Sequence, residues 1–322
     1  MSTSSILIMT SPLLDSKLFS SASISSPFRV FNSVKAERKI IKFIRRTVHQ
    51  SGAKGVVLGL SGGIDSALVA ALSVKALGVE NVHPIFFYDS HLDASTSASN
   101  STDYSSFDLR DALILCVNFG LSLQKINLHD TFDSARLSMM SVFDVRPASL
   151  SGPTSVFEGN LKSRLRMSLL YYYAKQNNLL VLGTKNKTER LTGYFTKYGD
   201  GGVDLDPIAD LYKTEVRLLS TYLNLPAEIL NKTPSAGFWD GQSDEADLGV
   251  RYDQLDRFLF ESEKLGLFEK HSTSASSPRR MKHVQQTLLK KTGLTQAQYL
   301  SVLSRIKSAE HKQSIPAFPR IS

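Results

Sequence analysis

The apolar run Val56-Val57-Leu58 leads straight into Gly59-Leu60-Ser61-Gly62-Gly63-Ile64-Asp65-Ser66, and a helix-like stretch, Ala67-Leu68-Val69-Ala70-Ala71-Leu72, follows at once. A strand that feeds a glycine turn and opens a helix makes an anion cradle, because bare backbone N–H groups and the helix dipole converge on one spot. Gly62 and Gly63 let the backbone approach phosphate with no Cβ in the way, and the Ser61 and Ser66 hydroxyls add donors. The loop has no lysine of the kind that G-x-x-x-x-G-K-[ST] loops send to terminal phosphates. Its acid, Asp65, repels phosphate unless a divalent cation lies between them, so the loop points to a bound Mg2+ and diphosphate.

Short apolar runs recur at 56–60, 82–87, 123–128 and 179–182, each separated from the next by enough chain for a crossover helix. That rhythm predicts an α/β fold with a doubly wound, mostly parallel sheet flanked by helices. Ligands of such a sheet lie at the carboxyl ends of the strands, where the Ser61 loop falls. Residues 36–45 carry apolar side chains at helical spacing opposite a charged face, which predicts a helix packed on the sheet. After Tyr222 the strand signal ends and helical patterns take over, including 252–265 and 295–306. The Ser- and Thr-rich stretches 90–106 and 272–280 read as mobile loops.

The chain of 322 residues is 42% hydrophobic, ample for a substantial core. Its single cysteine, Cys116, sits in the apolar run Leu113-Ile114-Leu115-Cys116-Val117, so it reads as buried and supports neither a disulfide framework nor a cysteine metal site. A reducing, cytoplasmic setting fits that usage, and no run nears the roughly 18 apolar residues that span a bilayer. A net charge of +8 suits a polyphosphate substrate as well as nucleic acid. The basic residues are scattered and not interleaved with aromatics, which argues against nucleic acid. Residues 1–34 are Ser-rich with few charges and lack the repeated arginines of a transit peptide, so they read as a disordered, non-functional tail ahead of one domain over 35–322.

A second glycine-led loop, Gly183-Thr184-Lys185-Asn186-Lys187-Thr188-Glu189, also follows an apolar strand and opens a short helix. It is followed by Thr192-Gly193-Tyr194-Phe195-Thr196-Lys197-Tyr198-Gly199-Asp200-Gly201-Gly202-Val203-Asp204, where glycines sit among charges of alternating sign. That composition marks a long ordered loop whose backbone is placed for contact.

With S-G-G-x-D-S, the signature of ATP pyrophosphatases, the chain also carries G-T-K-N-K-T-E, F-T-K-Y-G-D-G-G, D-P-I-A-D-L-Y-K-T, D-E-A-D-L-G-V-R-Y-D-Q-L-D and a terminal E-H-K. Together these resemble the ammonia-dependent NAD+ synthetases from about Val34 to Phe318, with T-K-Y-G-D-G-G the most specific phrase. The resemblance implies a Rossmann-like fold of the adenine nucleotide alpha hydrolase type and a homodimer. It implies that Gly59, Leu60, Ser61, Gly62, Gly63, Ile64, Asp65 and Ser66 bind ATP phosphates, with Thr184, Lys213 and Ser235 as further ATP contacts. Asp65 and Glu189 match the Mg2+ ligands, while Arg164, Lys197, Asp204, His311 and Lys312 match contacts to nicotinic acid adenine dinucleotide (deamido-NAD+). Arginine and lysine suit the diphosphate and carboxylate of that substrate.

The implied reaction amidates deamido-NAD+ with ammonia and ATP through an acyl adenylate, giving NAD+, AMP and diphosphate. Asp65 and Lys213 serve the adenylation step, and Asp200 or Asp204 is a possible proton acceptor for ammonium. Glutamine-dependent relatives carry a further domain with a cysteine nucleophile, so free ammonia reads as the direct donor here, with a separate glutaminase subunit left open. Two alternatives remain on sequence: another ATP-pyrophosphatase ligase, such as a GMP-synthetase-like amidase or tRNA thiolase, and a nucleotide-binding module without catalysis. The chain departs from the family pattern at Phe86-Phe87-Tyr88-Asp89, beside the adenosine pocket, and in having Ser235 where threonine is usual. The run Tyr171-Tyr172-Tyr173 reads as packing, and His83, His91 and His129 match no motif.

Overall fold

A computed structural model describes residues 23–25, 28–90, 104–140, 156–237, 241–268 and 278–314. A short antiparallel pair, β1 (Ser23–Ser25) and β2 (Val30–Asn32), precedes helix α1 (Ser33–Ser51). The Asn32 side chain caps α1 by accepting from Lys35 N, so the helix begins earlier and runs longer than its apolar spacing predicts.

The predicted strands are present as β3 (Gly55–Gly59), β4 (Val82–Tyr88), β5 (Gln124–Asn127) and β6 (Leu179–Val181). They pair in parallel in the order β5-β4-β3-β6. The chain builds outward from β3 to β5 and then returns to the other side of β3, so the order reverses between β3 and β6. A crevice opens at such a reversal, just beyond the carboxyl ends of the two strands.

Helices cover both faces. Val56 and Leu58 of β3 point into one core with Ile40 and Ile44 of α1 and Leu68 and Leu72 of α2 (Ile64–Leu77). Val57, one residue out of phase, joins Ile85, Val181 and Leu170 in a second core beneath α5 (Val156–Asn177). Between these elements lie α3 (Tyr104–Phe119) and α4 (His129–Met140). Cys116 is buried on α3, and burial pushes its thiol up to about 11.

Beyond β6 the described chain is helical: α6 (Lys187–Thr192), α7 (Lys213–Tyr222), α8 (Ala227–Leu230), α9 (Asp244–Leu248), α10 (Tyr252–Lys264), α11 (Pro278–Thr292) and α12 (Gln296–Ala309). Leu255, Phe258, Leu259, Leu288, Tyr299 and Val302 form their core. The stretches expected as mobile loops fall mostly outside the described residues, but 104–106 and 278–280 are helical.

The expected tail boundary moves. Phe28 packs edge-on against the buried Tyr212, Phe31 is buried in the first core, and Arg29 grips Glu215 through two bonds of 2.5 and 2.7 Å. Residues 28–34 therefore belong to the folded domain, because they cover apolar and acidic surface that composition alone does not reveal. Residues 1–22 lie outside the described part.

Candidate active site

The loop after β3 is shaped by its glycines. Gly62 has φ +74°, and a Cβ there would lie 2.4 Å from the Asp108 carbonyl oxygen. Gly63 is the N-cap of α2 and supplies no side-chain cap, so the first turn of that helix presents its N–H groups at the crevice. Ser61 stays exposed beside the loop. Ser66 is different: it is buried, donates to Gly63 O at 3.0 Å and accepts from Ser61 N at 3.2 Å. Its hydroxyl braces the loop from within, a duty that differs from the phosphate contact expected for it.

The loop after β6 approaches from the other side of the reversal. Gly183 is required where a Cβ would lie 1.8 Å from Asp206 Oδ1. Lys185 ties this loop to the next, with Nζ 3.0 Å from Asp206 Oδ1 and 3.1 Å from the Asp200 carbonyl. Asn186 caps α6 in a reciprocal box: its Oδ1 accepts from Glu189 N and Glu189 Oε2 accepts from Asn186 N. Its amide also donates to Asp65 Oδ1 at 2.9 Å, so one buried side chain links the two loops. Asn186 carried no expected role, although the N-x-x-E spacing of a capping box is present in the chain.

Lys213, at the start of α7, completes the centre. Its Nζ lies 2.5 Å from Asp65 Oδ2 and 3.6 Å from Glu189 Oε1. Burial opposes the charge on Lys213, yet Asp65, Glu189 and Asp244 outweigh it and hold the ammonium above the ordinary lysine range. Burial and the neighbouring Asp65 carboxylate push the Glu189 carboxyl above the usual carboxylate range, against the pull of Lys213. Two acids crowded together with one of them driven toward protonation form a centre short of positive charge. That donor set fits a hard divalent cation. Among the described residues no three acids, histidines or cysteines are grouped to hold a metal by themselves, so a cation here would draw its remaining ligands from phosphate and water oxygens.

The start of α7 is held from several sides. Thr188 Oγ1 accepts from Lys213 N at 3.1 Å and donates to the buried Asp256, which also accepts from Thr214 N at 2.8 Å. Thr184 sits half-buried in the loop before α6. Ser235 is exposed and its Oγ accepts from Gly237 N. Its segment reaches the first loop through Lys232, whose Nζ lies 3.4 Å from Gly62 O and 2.5 Å from Asp108. No sequence signal marked Lys232.

The residues matched to the second substrate gather only in part. Lys312 donates to the carbonyls of Gly193 and Phe195, both at 2.7 Å, and Lys197 donates to His311 O. The terminal E-H-K segment is thus docked on the 193–200 loop, with the charges of Asp200 and Arg164 close to Lys312. Arg164 is exposed on α5. Asp204 stands apart at the sheet edge, where its carboxylate accepts from Val181 N at 2.8 Å and Tyr171 OH at 3.0 Å. Asp200 Oδ1 accepts from Thr196 N and Ser163 Oγ, so it organises the loop; the geometry gives the proton-acceptor role no support. At the end of β4, Asp89 accepts from Lys162 at 2.5 Å and pairs with His129 Nδ1 at 2.9 Å.

A family model described as NAD synthase matches residues 36–316. The chain belongs to the NAD synthase family. The NH(3)-dependent NAD(+) synthetase of Methanococcoides burtonii is 41% identical over 284 residues, covering 88% of this chain and 94% of its own. Among solved structures, the Campylobacter jejuni NH3-dependent NAD synthetase aligns over 90% of this chain and all of its own, with TM-score 0.63 and 30% identity. The NMN synthetase of Francisella tularensis aligns over the same shares with TM-score 0.67 and 29% identity. In this NAD synthase family member the matched span starts near the α1 N-terminus, so β1 and β2 precede it.

Proposed function

We propose that the protein is a ligase that converts deamido-NAD+, ammonia and ATP into NAD+, AMP and diphosphate. The observation that carries this reading is the convergence of Asp65 and Glu189 from the two sides of the topological reversal, with Lys213 Nζ between them. A carboxylate is a poor acyl donor, so its oxygen attacks the α-phosphorus, the bond to the β-phosphate breaks, and diphosphate leaves with the electron pair. The α2 N-terminus, the Ser61 loop and Lys213 face the phosphates and offset their charge. Asp65 and Glu189 would hold Mg2+, which supplies further neutralisation when bound. Ammonia then attacks the activated carbonyl, the acyl C–O bond to AMP breaks with its electron pair leaving on AMP, a proton passes from the nitrogen to solvent, and the amide remains.

Free ammonia as the nitrogen source agrees with Cys116, the one cysteine, being buried and held as a thiol. A homodimer is supported by Leu137 and Met139 on α4 and Val156 and Phe157 on α5, each more than half exposed on helices that pack together. The exposed Arg164 and Asp204 then serve a substrate bound near the subunit boundary. Among the described residues no helix is long and apolar enough to cross a membrane, and a cytoplasmic setting is part of this reading.

The test incubates purified protein with ATP, Mg2+ and ammonium, offering deamido-NAD+ or nicotinic acid mononucleotide in parallel. NAD+ and AMP in equal amounts from the dinucleotide support the reading, and preference for the mononucleotide replaces it with the smaller substrate. Glu189→Ala at full activity removes the metal assignment.

A further inference from the structure

Arg166 is a cation without a hydrogen bond or ion pair among the described residues. It shares one face of α5 with Ser163, three residues before it, and Leu170, four residues after. Leu170 packs over the end of β3, with Cδ1 3.9 Å from where a Gly59 Cβ would be. α5 runs back toward the amino edge of the sheet to deliver β6, so its earlier turns lie toward the carboxyl edge. Arg166, about 6 Å before Leu170 along the helix, therefore stands over the crevice where the Ser61 loop begins.

The Arg166 Nε is buried and has no hydrogen-bond partner. Three carboxylates act on its charge, Asp200, Asp89 and Asp108, one from each of three surrounding segments. All three are bonded elsewhere. Asp89 serves Lys162 and His129, Asp108 serves Lys232, and Asp200 serves Thr196 N and Ser163. A half-buried arginine whose acidic neighbours do not bond it is left with free donors for an anion. Asp108 flanks Gly62 of the phosphate loop, and Asp200 belongs to the loop on which Lys312 docks. The anion common to both neighbourhoods is the phosphoryl group that passes from one substrate to the other.

We propose that Arg166 is a catalytic residue that grips the non-bridging oxygens of the α-phosphate during adenylation. This rests on the reaction proposed above. As the carboxylate oxygen bonds to the α-phosphorus and the bond to diphosphate breaks, negative charge gathers on those oxygens. The guanidinium meets it with donors already free, and with Nε already out of water.

The test uses the full chain and two readouts: NAD+ formation, and deamido-NAD+-dependent exchange of labelled diphosphate into ATP, which reports adenylation alone. Arg166→Ala is expected to lower both about a hundredfold or more, leaving the KM for ammonia unchanged. Millimolar guanidinium should restore part of the exchange to Arg166→Ala without affecting the wild type, a response that a packing role does not produce. Folded Arg166→Ala with exchange within twofold of wild type, or with normal exchange and only amidation lost, overturns the proposal. If Arg166→Ala does not fold, Arg166→Lys carries the comparison: its lost fork should cost about tenfold or more in exchange, and exchange within twofold overturns the proposal. Wild-type protein that makes no NAD+ removes the functional reading itself, whereas an active wild type with an active Arg166 variant removes only this inference.

Discussion

The Asn186 side-chain amide donates to Asp65 Oδ1 at 2.9 Å, joining the loop after β6 to the first turn of α2. Since Asn186 also caps α6 and is fully buried, it sets the distance between Asp65 and Glu189. Asn186→Ala removes a cap and leaves the Glu189 N–H and Asp65 Oδ1 without their partner, for a loss of about 2 kcal/mol in urea unfolding. The Mg2+ concentration for half-maximal activity should rise about tenfold, because the two acids are no longer held together.

Gly62→Ala meets both an unfavourable φ and the Asp108 carbonyl. The loop has to shift, and ATP-dependent turnover is expected to fall about a hundredfold, with the KM for ATP rising. Steady-state kinetics at varied ATP check this. Gly63→Ala, with no left-handed φ and only the Ser61 hydroxyl nearby, should lose less.

Arg29→Ala leaves Glu215 buried and without its cation. A fully buried pair broken this way costs about 3–5 kcal/mol; with Arg29 a third exposed, about 2 kcal/mol is expected in urea unfolding. Adding Glu215→Gln should recover part of the loss. A deletion ending after Arg29 should match Arg29→Ala or be worse, since Phe28 is also removed from Tyr212.

Asp256 is buried, and burial pushes its carboxyl up to about 6 from 3.8, against the bonds from Thr188 and Thr214. Between those values the folded chain holds a proton that the unfolded chain has released. Stability from this group is therefore full below about pH 3.8 and is lost as pH rises through about 6. Relative to Asp256→Asn, the wild type should lose on the order of 2–3 kcal/mol across that window. Urea unfolding of both proteins between pH 4 and pH 7 measures the difference; a constant gap refutes it.

Much of the architecture and the acidic centre was legible in the chain itself. Short apolar runs at crossover spacing suit a parallel sheet covered on both faces, and the glycine-led loops that follow its strands lie at the carboxyl edge. Asp65 and Glu189, each in the first turn of the helix its loop opens, follow from that local logic. Tertiary structure decided what local pattern cannot encode. Ser66 turned inward because the loop needs a brace, Asp204 went to Val181 N at the sheet edge, and Arg29, Lys232 and Arg166 acquired their surroundings from distant segments. Periodicity and turn chemistry act over a few residues, whereas the pairing of a buried charge depends on which segments, far apart in the chain, close around it.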